Sequence, residues 1–236
     1  MIFLRECNLL FLKPIKVAGT SFEISLSKFG MKHDIITPIS PADEKIRATL
    51  GFAGPQNFRK PLWEWDAKDL YMTIRQRSSP IKYFNHISAA EARTNLGSQI
   101  FDQAFKISIV RNPYDMLASL YFWEMKRRKN KLTFLDWAQK NPRMFNINDR
   151  HYSIDGKNII DFFIRFEHIV DDSAKLETMR SEIKGLSSNI SSIRTKHDVR
   201  PQGAAYSQLY SLDSDIIPSV RFFNRELINR FDYNFI

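Results

Sequence analysis

Twice in this chain a short, uninterrupted apolar run passes at once into a polar loop and then into a segment with helical periodicity. Residues 8–13 read as a buried strand, 14–19 as a loop, and 20–29 as a helix with Phe22, Leu26 and Phe29 on one face and Gly30 just past its end. Residues 106–110 form the second run, followed by Arg111 and by Asn112-Pro113, a cap and first-turn proline for a helix reaching about Lys126. Parallel strands need long crossovers and are buried on both faces, so repeated strand-loop-helix units call for a parallel sheet covered by helices. The expected class is therefore α/β, with a central parallel sheet flanked by helices.

The remaining punctuation agrees. Ser40 caps and Pro41 opens a helix running to Leu50 before Gly51, and Ser88-Ala-Ala-Glu91 is a capping box for another that ends before Gly97. Residues 51–80 carry Pro55, Pro61, Trp63, Trp65 and Pro80 with poor periodicity, and read as an irregular insertion with one helix near 67–75. A short strand is expected at 81–84, a third buried strand at 159–166, a helix at about 173–184 closed by Gly185, a polar basic loop at 186–208 and a last helix at about 216–231. No repeat or Gly/Ser linker divides the chain, and its 236 residues fit one core, which grows to roughly 250 residues before chains split; 1–236 is read as one domain.

Composition sets further limits. With 43% apolar and 26% charged residues the chain is not a disordered one, and no apolar stretch approaches the ~20 residues that cross a bilayer. Arg5 and Glu6 interrupt the apolar start and no small-residue cleavage site follows, so a cytoplasmic location is the expectation. Cys7, the only cysteine, leaves no intrachain disulfide and no thiolate metal cluster, and reads as a buried strand residue. Lys and Arg number 35 against 26 acids, a formal net charge of +9 that favours an anionic partner without choosing one. The densest cationic cluster, Lys126, Arg127, Arg128, Lys129 and Lys131, follows Tyr121-Phe122-Trp123; a solvated helix end explains it about as well as a binding surface.

The first loop, residues 13–21, carries Lys16, Gly19, Thr20 and Ser21 between a strand and a helix. A helix N-terminus supplies N–H groups and partial positive charge, glycine permits close approach, and hydroxyls donate, so the segment is suited to a phosphate. It is not a Walker A loop, which needs Lys directly before the hydroxyl residue; here Lys16 precedes Gly19 by three positions. The second strand ends in Arg111 where a nucleoside triphosphatase would place its Mg²⁺-holding Asp, and a cation there takes an anion instead. Ser119, two turns into the following helix, is placed to reach the same anion.

These segments resemble a known family. KVAGTS at residues 16–21 and RNPYDMLASLY at 111–121 are similar to the two phosphosulfate-binding motifs of sulfotransferases that use 3′-phosphoadenylyl sulfate (PAPS). DIITPISPADEKIR, FNHISAAEARTNLG around His86, FDQAFKISIVRNP, FIRFEHIVDD and RPQGAAYSQLYS resemble bacterial members related to carbohydrate sulfotransferases. Two positions depart: Met116 stands where the family often has Arg, and Ile15 where it commonly has Pro. The resemblance implies a P-loop NTPase-like three-layer fold, PAPS as co-substrate without a metal, and a hydroxyl acceptor, with a saccharide the expected one and nucleic acid not a partner. It further implies that Lys16, Gly19, Thr20 and Ser21 cradle the 5′-phosphosulfate, that Arg111 and Ser119 bind the 3′-phosphate, and that Arg200, in a basic loop with Arg194 and Lys196, closes over the nucleotide.

Sulfuryl transfer needs charge stabilisation on the leaving oxygen, assigned to Lys16, and a base for the acceptor hydroxyl, assigned to His86 just ahead of a helix N-terminus whose dipole disfavours imidazolium. Asp34 and Glu167 are the reserve base candidates. His33, His151, His168 and His197 read as surface or packed residues, and Trp63 and Trp65 as either a sugar-stacking pair or an apolar lid. The rival readings are a P-loop kinase, which Arg111 disfavours, and a non-catalytic binder of anionic polymers using the Lys126 to Lys131 cluster.

Overall fold

The computed structural model describes residues 1–193 and 206–235. Strands β1 (Ile2–Leu4) and β2 (Leu9–Phe11) are joined by a tight turn over residues 5–8, so they pair antiparallel, Phe3 opposite Leu10. The interrupting Arg5 and Glu6 are that turn. Cys7 is buried in it rather than in a strand, and burial pushes its thiol up to about 11. Helix α1 (Gly19–Ser27) carries the chain over the sheet to β3 (Ile35–Ile36), which pairs antiparallel with β1 on its outer edge. Gly30 does not terminate α1 through a left-handed backbone; a Cβ there would stand 2.7 Å from Ile36 Cδ1, so the glycine serves close packing.

Helices α2 (Pro41–Thr49), α3 (Ala67–Gln76), α4 (Ala89–Leu96) and α5 (Ser98–Gln103) follow, with the expected Ser40 cap and Ser88–Glu91 capping box. The expected strand at 81–84 is absent: Ile81 bridges Arg59 alone, and Lys82 and Tyr83 both donate to the Phe58 carbonyl. Strand β4 (Phe105–Val110) runs parallel to β2 and leads into α6 (Pro113–Arg127). After α7 (Phe134–Lys140), α8 (Asp149–Tyr152) and a hairpin of β5 (Ser153–Ile154) and β6 (Lys157–Asn158), β7 (Phe162–Arg165) joins β4 in parallel. The sheet order is β3-β1-β2-β4-β7, mostly parallel, with β1 the one strand reversed.

The C-terminal part holds α9 (Ile169–Met179), α10 (Leu186–Ser192), α11 (Tyr206–Leu212), α12 (Ile216–Phe223) and α13 (Arg225–Phe231). Part of the expected loop at 186–208 is therefore helical: Glu177 accepts the N–H groups of Gly185 and Ser187 and so caps α10 from the preceding helix α9. The expected last helix is broken at Asn224, whose buried amide donates to Phe145 O and back to Val220 O in competition with the helical ladder.

Alternation along the strands divides the core in two. Ile2, Leu4, Leu9, Phe11, Ile107, Ile109 and Ile164 point to the face covered by α1, α9 and α10; Phe3, Leu10, Leu12, Val110 and Phe163 point to the face covered by α4 and α5. Helices thus cover both faces of a mixed α/β sheet. A third cluster joins α6, α7, α11 and α12 around Tyr114, Trp137 and Tyr210. Among the described residues no helix is long and apolar enough to cross a membrane.

Candidate functional site

The chain leaves β2 towards β3 on one side of the sheet, and leaves β4 towards β7 on the other. The carboxyl ends of the adjacent parallel strands β2 and β4 therefore flank the place where strand order reverses, the position at which open α/β sheets leave a crevice for ligands. Both sequence motifs lie there, because each directly follows one of these strands.

The first loop is bent by left-handed backbone at Lys16 (φ 63°) and Ala18 (φ 55°), which delivers Gly19, Thr20 and Ser21 as the first turn of α1. The cap position is Ala18, with no side-chain hydrogen bond, whereas α2, α3, α4 and α7 are capped by Ser40, Asp66, Ser88 and Thr133. The first N–H groups of any helix lack intrahelical acceptors, and here no side chain at the cap takes them. Thr20 is half-buried and Ser21 buried. Gly19 is demanded from behind rather than by approach to a ligand: a Cβ would lie 2.9 Å from Lys13 Cγ.

Lys13 and Glu23 form the base of the loop, and neither was singled out in the sequence. Lys13 Nζ donates to Glu23 Oε2 at 2.6 Å, with both side chains buried, and the Met1 ammonium and the Thr37 hydroxyl share Glu23 Oε1. Burial alone would raise the Glu23 carboxyl, but the charges of Lys13 and the terminal ammonium outweigh it and hold the group at about 2. Asn148 is the second unforeseen support. Its side chain accepts from Ile15 N at 2.7 Å and donates to Ile15 O at 2.9 Å, gripping the loop from 133 residues away.

Arg111 links the two motifs. Its Nη1 donates to Lys16 O at 2.8 Å, its Nε donates to Asp115 Oδ2 at 2.7 Å, and the guanidinium stacks 4.2 Å from the Phe166 ring centre. Arg111 thus has an ion-pair partner in the first turn of α6, and it also reaches across to the first loop. Asp115, Ser119 and Trp123 follow in four-residue steps along one side of α6, spanning ~12 Å. Lys16 Nζ lies 5.7 Å from the Trp123 ring centre, so in sequence half-buried Ser119 falls between Arg111, which holds the Lys16 carbonyl, and Trp123, which faces its ammonium. Met116, on another side of α6, is buried in packing.

His86 reaches the same loop. Its backbone is left-handed (φ 60°), and its Nδ1 lies 3.0 Å from Lys13 O, an acceptor only; Nδ1 must carry the hydrogen, and Nε2 of the neutral ring keeps its lone pair. Burial first and the Lys13 charge second pull the imidazolium down to about 4, so the ring is neutral near pH 7. Of the two expectations for His151, surface or packed, the structure shows the second, and it packs against the candidate base: its Nε2 donates to His86 O at 3.1 Å, and the two rings meet edge-on with centroids 6.4 Å apart. Burial pulls His151 down to about 3. A cleft of about 480 Å³ lined by Arg143, Asn146, Arg150 and Asp155 borders the same region through Arg150.

Depressed histidines make stability depend on pH. Both rings stay neutral in the folded chain while an unfolded histidine protonates below about 6.5, so the unfolded state takes up more protons as pH falls. The two histidines are expected to contribute no pH dependence to stability in urea above pH 7 and to lower it between pH 6.5 and 4, by up to roughly 1.4 kcal/mol per pH unit for each. A stability profile level across that window would contradict the assigned environments.

The reserve bases are placed elsewhere. Asp34 sits at the amino end of β3, at the opposite edge of the sheet, where its carboxylate accepts Arg5 N and Met31 N, both at 2.7 Å. Glu167 follows β7 on the correct edge but is engaged, accepting Asn112 N at 2.7 Å and the Tyr233 hydroxyl at 3.0 Å. It shapes the loop after Arg111 rather than facing a ligand. Trp63 is 88% exposed and packs on no core, while Trp65 donates to Lys60 O. Lys126 and Arg127 end α6 and Arg128, Lys129 and Lys131 follow it, all exposed, with Arg127 stacked on Trp123. Arg200, Arg194, Lys196 and His197 lie outside the described residues. No protein-family model, curated protein or solved structure matches this chain.

Proposed function

We propose that this protein is a PAPS-dependent sulfotransferase of P-loop type that transfers a sulfuryl group to a hydroxyl, with a saccharide as the expected acceptor class. One observation carries the reading: Arg111 at the end of β4 is hydrogen-bonded to Lys16 in the loop after β2, so two cation-bearing motifs over 90 residues apart converge on one crevice with His86 on its border. The uncapped first turn of α1 fits an anionic group, and the α6 side bearing Ser119 fits a second one.

PAPS, when bound, supplies an activated sulfuryl group whose departure leaves negative charge on the phosphate oxygen. The N–H groups opening α1 and the hydroxyl of Thr20 hold the 5′ end, while Arg111 and Ser119 hold the 3′-phosphate. Lys16, resting against Trp123, has the length and charge to neutralise the leaving oxygen. His86 Nε2 takes the acceptor hydroxyl proton, and its Nδ1–H bond to Lys13 O keeps that nitrogen free for the task. The Arg143–Arg150 cleft is the acceptor's approach in this reading.

The test is calorimetry with 3′-phosphoadenosine 5′-phosphate (PAP), with ADP and with a chelator, beside transfer of labelled sulfate to a glycan panel. PAP is expected to bind without metal and more tightly than ADP. Arg111→Ala should weaken PAP roughly 10- to 100-fold through lost charge-assisted bonds, whereas Asp115→Asn, which removes the carboxylate charge opposite Arg111, should preserve or improve affinity. Lys16→Ala should cost turnover more than PAP binding. Equal affinity for ADP, or equal losses in Arg111→Ala and Asp115→Asn, would remove the basis for a 3′-phosphate site.

A further inference from the structure

Helix α3 lies on the body of the protein with its amphipathicity reversed. At about 100° per residue, Ala67, Leu70, Tyr71 and Ile74 share a continuous ~100° arc, and all of them are exposed, Ile74 at 73% and Tyr71 at 60%. The side turned inward is mainly polar, with half-buried Met72 its apolar member. There Asp69 pairs with Lys60, and Thr73 Oγ1 is buried without a partner. The turn leading into the helix exposes Leu62 at 74% and Trp63 at 88%. The apolar arc is turned to solvent by a helix whose first turn is closed by its capping box and whose Asp69 is tied to Lys60, which is the arrangement of a surface waiting to be covered.

Charge identifies what covers it. Lys68 and Arg75 project side by side along one flank of the arc, next to Tyr71, with Arg77 beyond the helix end; among the described residues none of the three is in an ion pair. The acids of the segment are occupied: Glu64 pairs with Lys82, Asp69 pairs with Lys60, and Asp66 caps the helix. A second copy meeting α3 antiparallel about a two-fold axis would set the Lys68–Arg75 flank against itself, like charge on like. An anionic lipid surface meets both demands, taking the apolar arc into its acyl boundary and the cationic flank against its headgroups.

We propose that α3 and the Leu62–Glu64 turn dock this protein on anionic membrane surfaces, independently of sulfuryl transfer. The test is flotation of the full chain with vesicles of phosphatidylcholine, alone or with about a third phosphatidylserine. The chain is expected to float with the anionic vesicles and not with the neutral ones. Leu70→Ser/Ile74→Ser should reduce partitioning about 10-fold or more with circular dichroism and melting unchanged, since both side chains are exposed. Lys68→Glu/Arg75→Glu should reduce it several-fold. The proposal is overturned by equal flotation with neutral vesicles, or by no flotation at all. It is also overturned if Leu70→Ser/Ile74→Ser floats as wild type, since adsorption then occurs through another basic surface such as the end of α6. Light scattering that finds a dimer dissolved by Leu70→Ser/Ile74→Ser would assign the face to self-association instead.

Discussion

His86→Asn is expected to lower the rate of sulfuryl transfer ~10²- to 10⁴-fold, the range for loss of a general base, with PAP affinity near wild type. Asparagine suits the test better than alanine. It tolerates the left-handed backbone that His86 adopts, and its amide can still donate to Lys13 O, so the loop contact survives while the basic nitrogen is lost. The acidic limb of kcat/KM in the wild type should reflect a group near 4 in the free protein, and it should vanish in the variant. Nearly full activity with an unaltered pH profile would exclude the role. Asp34 could not then inherit it from the far edge of the sheet, nor Glu167 without giving up the Asn112 and Tyr233 contacts that shape the Arg111 loop.

Glu23→Ala should destabilise the fold by about 3–5 kcal/mol, because it strands Lys13 as a buried charge with no carboxylate opposite it. That is a large fraction of the 5–15 kcal/mol typical of a domain, and it is read as a drop in the urea midpoint. Lys13→Met/Glu23→Leu should recover only part of it: the lysine charge is no longer stranded, but the buried Met1 ammonium keeps the Thr37 hydroxyl and loses its carboxylate. The pair also sets the loop: Lys13 passes directly behind Gly19, and its carbonyl orients His86. PAP affinity in Glu23→Ala should therefore fall under conditions where the variant is still folded. A loss of stability below about 1 kcal/mol, the scale of an exposed pair, would mean that water reaches the pair.

Much of the site was legible because its parts are local. Lys16 to Ser21 and Arg111 to Ser119 each follow an apolar run, and the residue types suited to anions announce themselves within a few positions. What joins them is not local. Arg111 finds Lys16 O at a separation of 95 residues, Asn148 finds Ile15 at 133, and His151 finds His86 at 65. Nothing in the periodicity around Asn148 or His151 distinguishes a loop-gripping amide or a ring-backing imidazole from ordinary polar residues on a short helix. The same limit hid the break at Asn224, which depends on the Phe145 carbonyl 79 residues away.

By itself the sequence determined the α/β class, the existence and ends of α2, α4 and α6, and the presence of strands within 8–13 and at 106–110, though not their exact bounds, because apolar periodicity, capping residues and proline act over a few residues of chain. Only the tertiary structure decided that β1 runs against its neighbours, that Gly19 makes way for a buried lysine, that Asp34 stands at the wrong edge of the sheet, and that α3 turns its apolar side outward. Each of these depends on which surface faces which, and a burial pattern along one segment carries no record of the partner that buries it.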